Sequence, residues 1–182
     1  MTTSNIEGRF NGWIDESITQ KQALELENCD FQTHVYDVIY CSPMKRCIET
    51  ARALGIENVI AEPRLIERNL GIFEEKTLRE CETLYAADII KFKRLDGDYS
   101  MPGGESRSQN LDRVLSWLED VRGFNRILAI THGGPIDFIY RIACGKDLHG
   151  GETIYAGHNA HISIFNQVNE SWSVTQFSQP IT

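Results

Sequence analysis

Ile127-Leu128-Ala129-Ile130-Thr131-His132-Gly133-Gly134 decides the fold, because an unbroken apolar run leads straight into an imidazole and then into two glycines. A short apolar run without polar alternation reads as a buried strand. Pro135 follows, and Ile136, Phe138, Ile139 and Ile142 recur at helical spacing, so the glycines bridge a strand to a helix N-terminus. Free N–H groups at a helix start attract anions, and glycines let a ligand approach the main chain closely. Taken alone, the same residues also suit a histidine that merely closes a strand.

A second strand-to-helix junction strengthens the first reading. Tyr36 to Cys41 reads as a buried strand, Ser42 as an N-cap, Pro43 as the first helical residue, and Ile48, Ala51 and Leu54 as parts of the helix's apolar face. Lys45 and Arg46 then fall in the first turn, where the macrodipole disfavours cations by roughly 0.3–1 kcal/mol unless an anion sits beside them. Lys45 reads as solvated. Arg46 has a planar fork suited to bidentate phosphate recognition.

With these residues the chain resembles the histidine phosphatases, the phosphoglycerate mutase-like superfamily. Thr2 to Trp13 looks like the stretch that follows the family's first catalytic motif. Ser42-Pro43-Met44-Lys45-Arg46 resembles its serine-proline-x-x-arginine motif, and Leu65-Ile66-Glu67-Arg68-Asn69-Leu70-Gly71 its acid-bearing loop. Pro102-Gly103-Gly104-Glu105-Ser106 and His132-Gly133-Gly134 complete the order. The resemblance implies an α/β, three-layer sandwich with a mostly parallel central sheet and an antiparallel C-terminal strand or hairpin. It also implies a phosphomonoester hydrolase working through a phosphohistidine on a small phosphorylated metabolite. It assigns Glu67 and His132 catalytic roles and puts Asn5, Asn11, Gly12, Arg46 and Gly133 around phosphate and substrate, with no metal and no cofactor.

One part of the family pattern is missing. The nucleophilic histidine belongs to an arginine-histidine-glycine triplet at the end of a first strand, ahead of a glutamate and a threonine-x-x-asparagine segment. Thr2 and Asn5 match that segment, and Met1 stands at the glutamate position. The expectation is a single domain over residues 1–182, N-terminally shortened by about six to ten residues, the length of one strand with its motif. These 182 residues are then expected to be inactive by themselves, and either less stable or closed by another strand. Two alternatives are a mutase-type phosphotransferase and a non-catalytic module that binds phosphorylated ligands. Only 35 residues separate Glu67 from Pro102, too few for the long insertion of the mutases, and Lys91, Lys93 and Arg94 read as a solvated helix end.

Composition agrees. The chain is 41% apolar and 24% charged over 182 residues, enough for one core. A net charge of −8 argues against nucleic acid and anionic membranes as partners and leaves room for a homodimer. The five cysteines include no C-x-x-C pair, which fits a reduced cytoplasmic setting, and no signal peptide or bilayer-length apolar run is present. Leu78, Cys81, Leu84, Tyr85, Ile89 and Phe92 mark one helix, and Leu111, Val114, Leu115 and Leu118 another capped near Ser106. Asn58 to Ala61 suggests a short strand, and His161 to Gln167 and Trp172 to Phe177 a hairpin turning at Asn169 and Glu170. His158 and His161 are set aside as a metal pair because they would point to opposite faces of a strand. Cys47 reads as packing inward, and Glu75 as strained if its position requires a positive φ.

Overall fold

Short parallel strands interleaved with helices make up most of the chain, and a longer hairpin closes it. The computed structural model describes residues 1–32, 34–94, 99–149, 158–168 and 171–181. In chain order these form α1 (Thr3–Ile6), α2 (Gln20–Glu27), β1 (Val38–Cys41), α3 (Lys45–Ala53), β2 (Ile60–Ala61), α4 (Leu78–Leu84), α5 (Ala86–Lys93), α6 (Arg107–Asp120), β3 (Ile127–Ile130), α7 (Gly133–Ala143), β4 (His161–Val168) and β5 (Ser171–Pro180). No helix among them is long and apolar enough to cross a membrane.

The three layers follow from side-chain alternation in two strands. β1 and β3 pair in parallel, with Val38 opposite Ile127 and Cys41 opposite Ile130, and β2 adds on the far side of β1. Ile39, Cys41, Leu128 and Ile130 fall on one face and pack against Leu26 of α2, Cys47 and Ala51 of α3, and Leu54 at its C-cap. Tyr40, Ile127 and Ala129 fall on the other, against Leu111, Val114, Trp117 and Leu118 of α6 and Phe138 and Ile139 of α7. A period of two thus gives the sheet two apolar faces, each covered by a pair of helices. A smaller cluster of Phe73, Cys81, Ile89 and Met101, with Phe10 and Phe92 against it, packs the segment between β2 and α6.

Several boundaries move from their expected places. α3 begins at Lys45 with Met44 at the N-cap and no side-chain cap bond, so neither Ser42 nor Pro43 opens the helix. The helix expected around Leu78 to Phe92 breaks at Tyr85 (φ −137°, ψ 48°), and the break lets Cys81 of α4 and Ile89 of α5 enter the same cluster. Residues 58 and 59 lie outside β2, whose two residues are exposed. α6 is capped as read: the Ser106 hydroxyl accepts from Gln109 N, and the Gln109 side chain accepts from Ser106 N. Leu115, expected on its apolar face, is exposed, whereas Leu111, Val114 and Leu118 are buried. Glu75 does take a positive φ, 62°, the left-handed region that disfavours a side chain.

The hairpin forms, but among the described residues it stays apart from the parallel sheet: β4 bonds to β5 and β3 to β1. Its turn at 169–170 lies outside the described residues. The N-terminus does not extend the sheet either. It folds into α1, with a capping box between Thr2 and Asn5 and an isolated bridge from Thr2 to Ile18. All four residues of β3 therefore remain only half-buried despite their apolar sequence.

Candidate active site

Two carboxyl ends of parallel strands supply the core of the site. β1 ends at Cys41 and β3 at Ile130, so Arg46, in the first turn after β1, and His132, the N-cap of α7, come together. Arg46 Nε donates to His132 Nδ1 at 3.2 Å, and its two terminal nitrogens donate to Gly12 O and Ile14 O at 2.8 Å each. Both side chains are buried. His132 Nε2 lies 2.8 Å from Ser42 Oγ and 3.5 Å from Cys47 Sγ. Burial, and then the charges of Arg46 and Arg113, hold the imidazole well below its ordinary pKa, so it is neutral near pH 7. Burial likewise pushes the Cys47 thiol up, in keeping with a packed rather than reactive cysteine.

Both helix N-termini meet carboxylates from the chain itself. Asp15 Oδ1 accepts from Lys45 N at 2.7 Å, supplying the anion that the first turn of α3 calls for. At α7, Gly134 N donates to Glu67 Oε1 at 3.2 Å, so Gly134 and not Gly133 makes this contact. A Cβ on Gly134 would meet that same Glu67 oxygen, so a side chain there would push the carboxylate aside. Glu67 is not paired with the Arg68 guanidinium, whose Nε donates to Glu105 O and whose terminal nitrogen donates to Tyr99 O. The Glu67 carbonyl accepts from Trp13 Nε1 at 2.7 Å and from Arg113 at 3.1 Å, while Arg113 also donates to Arg64 O, Ile66 O and the Glu105 carboxylate. Arg113 thus pins the acid-bearing loop to α6. The sequence reading missed it, because a lone cation beside the apolar positions Leu111 and Val114 does not say what it meets.

Arg46, Glu67, His132, Gly133, Asn5, Asn11 and Gly12 all line one continuous cavity of about 1410 Å³. Their side chains are not all aimed into it. Asn5 Oδ1 accepts from Thr2 N and Oγ1, and Asn11 Nδ2 donates to Thr2 Oγ1 at 2.9 Å, leaving Asn11 Oδ1 buried without a partner among the described residues. Gly12 sits at φ +48°, and its carbonyl receives Arg46. His158 precedes β4 instead of lying on it, and its ring centroid is 5.0 Å from that of His161, so the opposite-face argument does not hold. Lys91, Lys93 and Arg94 are exposed, with Lys93 Nζ 2.5 Å from Glu82.

The model of the histidine phosphatase superfamily, branch 1, matches residues 1–180. The chain belongs to this superfamily. Among similar members, phosphoserine phosphatase 1 of Hydrogenobacter thermophilus is 32% identical over 78% of this chain and 71% of its own length. A metal-independent phosphoserine phosphatase of Arabidopsis thaliana is 26% identical over 97% of this chain and 77% of its own. In structure, the α-ribazole phosphatase of Shigella flexneri superposes with a TM-score of 0.76 at 18% identity, over 100% of this histidine phosphatase chain and 94% of its own, which shows a shared fold.

Proposed function

We propose that this site belongs to a phosphomonoester hydrolase acting on a small phosphorylated metabolite through a phosphohistidine. The buried contact between Arg46 and His132 at two adjacent strand ends carries the reading. Arg46 offers fixed positive charge to the non-bridging oxygens, and Gly133 N–H, Asn5 and Asn11 offer neutral donors. Gly12 stands on the substrate side. Glu67, held at the start of α7, is the candidate acid that gives a proton to the departing alkoxide. Two observations favour hydrolysis over mutase chemistry. The relatives include phosphoserine phosphatases, and the segment from Glu67 to Pro102 is short, with α4 and α5 filling much of it.

Residues 1–182 contain no arginine-histidine-glycine triplet. We therefore propose that they bind phosphate esters by themselves without turning them over, and that hydrolysis needs a nucleophile from outside them. Rapid-quench labelling with phosphoserine and other phosphorylated metabolites tests this. No acid-labile phosphohistidine is expected on the 182 residues, and labelling at a catalytic rate would overturn the claim. Titration with inorganic phosphate followed by phosphorus NMR should show binding that Arg46→Ala weakens at least tenfold; equal affinity would remove Arg46 from the phosphate site. In any form that turns over, Glu67→Gln should slow esters with poor leaving groups far more than p-nitrophenyl phosphate, whose leaving group hardly needs a proton.

A further inference from the structure

Two histidines stand outside the phosphate reading, and their side chains meet. His158 lies just ahead of β4 and His161 opens it, with ring centroids 5.0 Å apart and ring planes tilted by 33°. A turn at Asn159 and Ala160 joins them. Ala160 sits at φ 56°, a left-handed conformation that a residue with a Cβ rarely holds, and it breaks the strand alternation that would otherwise send the two rings to opposite faces. The same turn fixes the His161 tautomer. Its Nδ1 lies 2.9 Å from Asn159 O, which can only accept, so in the neutral ring Nδ1 carries the hydrogen and Nε2 keeps its lone pair. Among the described residues nothing bonds to that Nε2. Metal-bound histidines have this same arrangement, one nitrogen on the ion and the other N–H given to a backbone carbonyl or carboxylate.

We propose that His158 and His161 form a two-histidine clamp for a late first-row divalent cation of the Zn²⁺ or Ni²⁺ class, one ring nitrogen from each binding the ion. Imidazole suits such ions, whereas Mg²⁺ and Ca²⁺ seek oxygen. The ring spacing fits. A metal–nitrogen bond of about 2.0–2.1 Å, with the ring centre about 1.1–1.2 Å behind the nitrogen, sets two imidazoles on one ion roughly 4.5–5.2 Å apart for bond angles between a right angle and a tetrahedral one. The observed 5.0 Å lies inside that range, so an ion can enter without a shift of the backbone. No group of three ligating side chains forms among the described residues, so the ion keeps positions open to water or to a ligand oxygen. The family resemblance assigns no metal, and the clamp is a local feature of four consecutive residues, separate from the chemistry of Arg46 and His132.

Zn²⁺ and Ni²⁺ alone are the probes, and Mg²⁺ is the control. Calorimetric titration with Zn²⁺ should show saturable one-to-one binding, and Ni²⁺ should broaden the ring-proton signals of His158 and His161 before those of His34, His132 and His149. Mg²⁺ should do neither. His158→Gln and His161→Gln should each weaken Zn²⁺ binding at least tenfold, and His158→Gln, at an exposed position, should leave the Tm of the metal-free protein unchanged. Cys29→Ser and Cys144→Ser remove the two free thiols that are not buried, and both should keep full affinity. Undiminished binding in either histidine variant, loss of binding in a cysteine variant, or a complex of two chains per ion would overturn the proposal. Phosphate titration of the metal-free protein is a separate measurement, so a failed clamp and a failed phosphate site give different results.

Discussion

Arg46 Nε–H donates to His132 Nδ1 at 3.2 Å, and this one bond decides which imidazole nitrogen carries the proton. Nδ1 must accept, so the neutral ring carries its hydrogen on Nε2 and gives it to Ser42 Oγ at 2.8 Å. A protonated His132 would have to turn an N–H toward a guanidinium. The imidazole is therefore held as a neutral group, not as the second cation that phosphate chemistry would otherwise ask of it.

A stability change with pH follows. The folded state holds the pKa of His132 below its ordinary 6.5, by burial first and by Arg46 and Arg113 after it. Below about pH 6.5 the unfolded chain takes up a proton that the folded chain refuses. Stability is then full above that pH and falls as the pH drops, with a slope of up to ~1.4 kcal/mol per unit. Urea midpoints measured from pH 7.5 to 5 should fall, and His132→Asn should flatten the fall. An unchanged slope in the variant would place the effect elsewhere.

Arg46→Lys keeps the charge but not the fork. A lysine cannot serve Gly12 O, Ile14 O and His132 Nδ1 together, so at least one acceptor loses its partner, at a cost of about 1–3 kcal/mol. Chemical denaturation should show this loss, and wild-type stability in the variant would contradict the three-way role.

Asp137 Oδ2 accepts from both Arg107 and Arg141, at 2.7 and 2.8 Å, and all three side chains are buried. Asp137→Ala would leave two guanidinium groups in a low-dielectric interior without this carboxylate, a loss of about 3–5 kcal/mol. Removing the exposed Glu25, which pairs with Lys21, should leave the midpoint nearly unmoved. Comparable midpoints for the two variants would refute the ranking.

Glu75 holds a left-handed conformation at φ 62°, and its side chain is exposed. Glu75→Gly removes the Cβ penalty of about 1–2 kcal/mol and adds back part of it through the entropy of the unfolded chain. A net gain of roughly 0.5 kcal/mol is expected, visible as a small rise in Tm. A fall would mean that the Glu75 side chain contributes more than its exposure implies.

Much of the fold was legible because its signals are local. Alternation in Ile39-Tyr40-Cys41 and in Ile127-Leu128-Ala129-Ile130 is enough to give a sheet with two apolar faces, and the spacing of Leu111, Val114 and Leu118 gives the helix that covers one of them. The break at Tyr85 was not legible, since the apolar spacing runs through it unchanged. Only the need to bring Cys81 and Ile89 into one cluster shows why the chain turns there. In the site, Arg46, Glu67 and His132 were readable from motifs in sequential order. Arg113 was not, because three of its partners are main-chain carbonyls of a loop far away in sequence, which carry no side-chain signature.

By itself the sequence determined the α/β character of the chain, the two covered faces of the sheet, and the residue types at the strand ends. Tertiary structure alone decided what those residues touch. Ser42 has the composition of a helix cap, yet its hydroxyl lies against His132, 90 residues away, and the first N–H of α3 turns to Asp15 instead. Glu67 comes to the start of α7 on a loop held by Arg113, Trp13 and Thr131, none of them near it in sequence. Among the described residues the hairpin pairs only with itself, and its register shifts on both sides of Ile164. Periodicity records which face of an element is apolar. Which polar group meets which across tens of residues depends on how those faces pack, and that packing has no local signature.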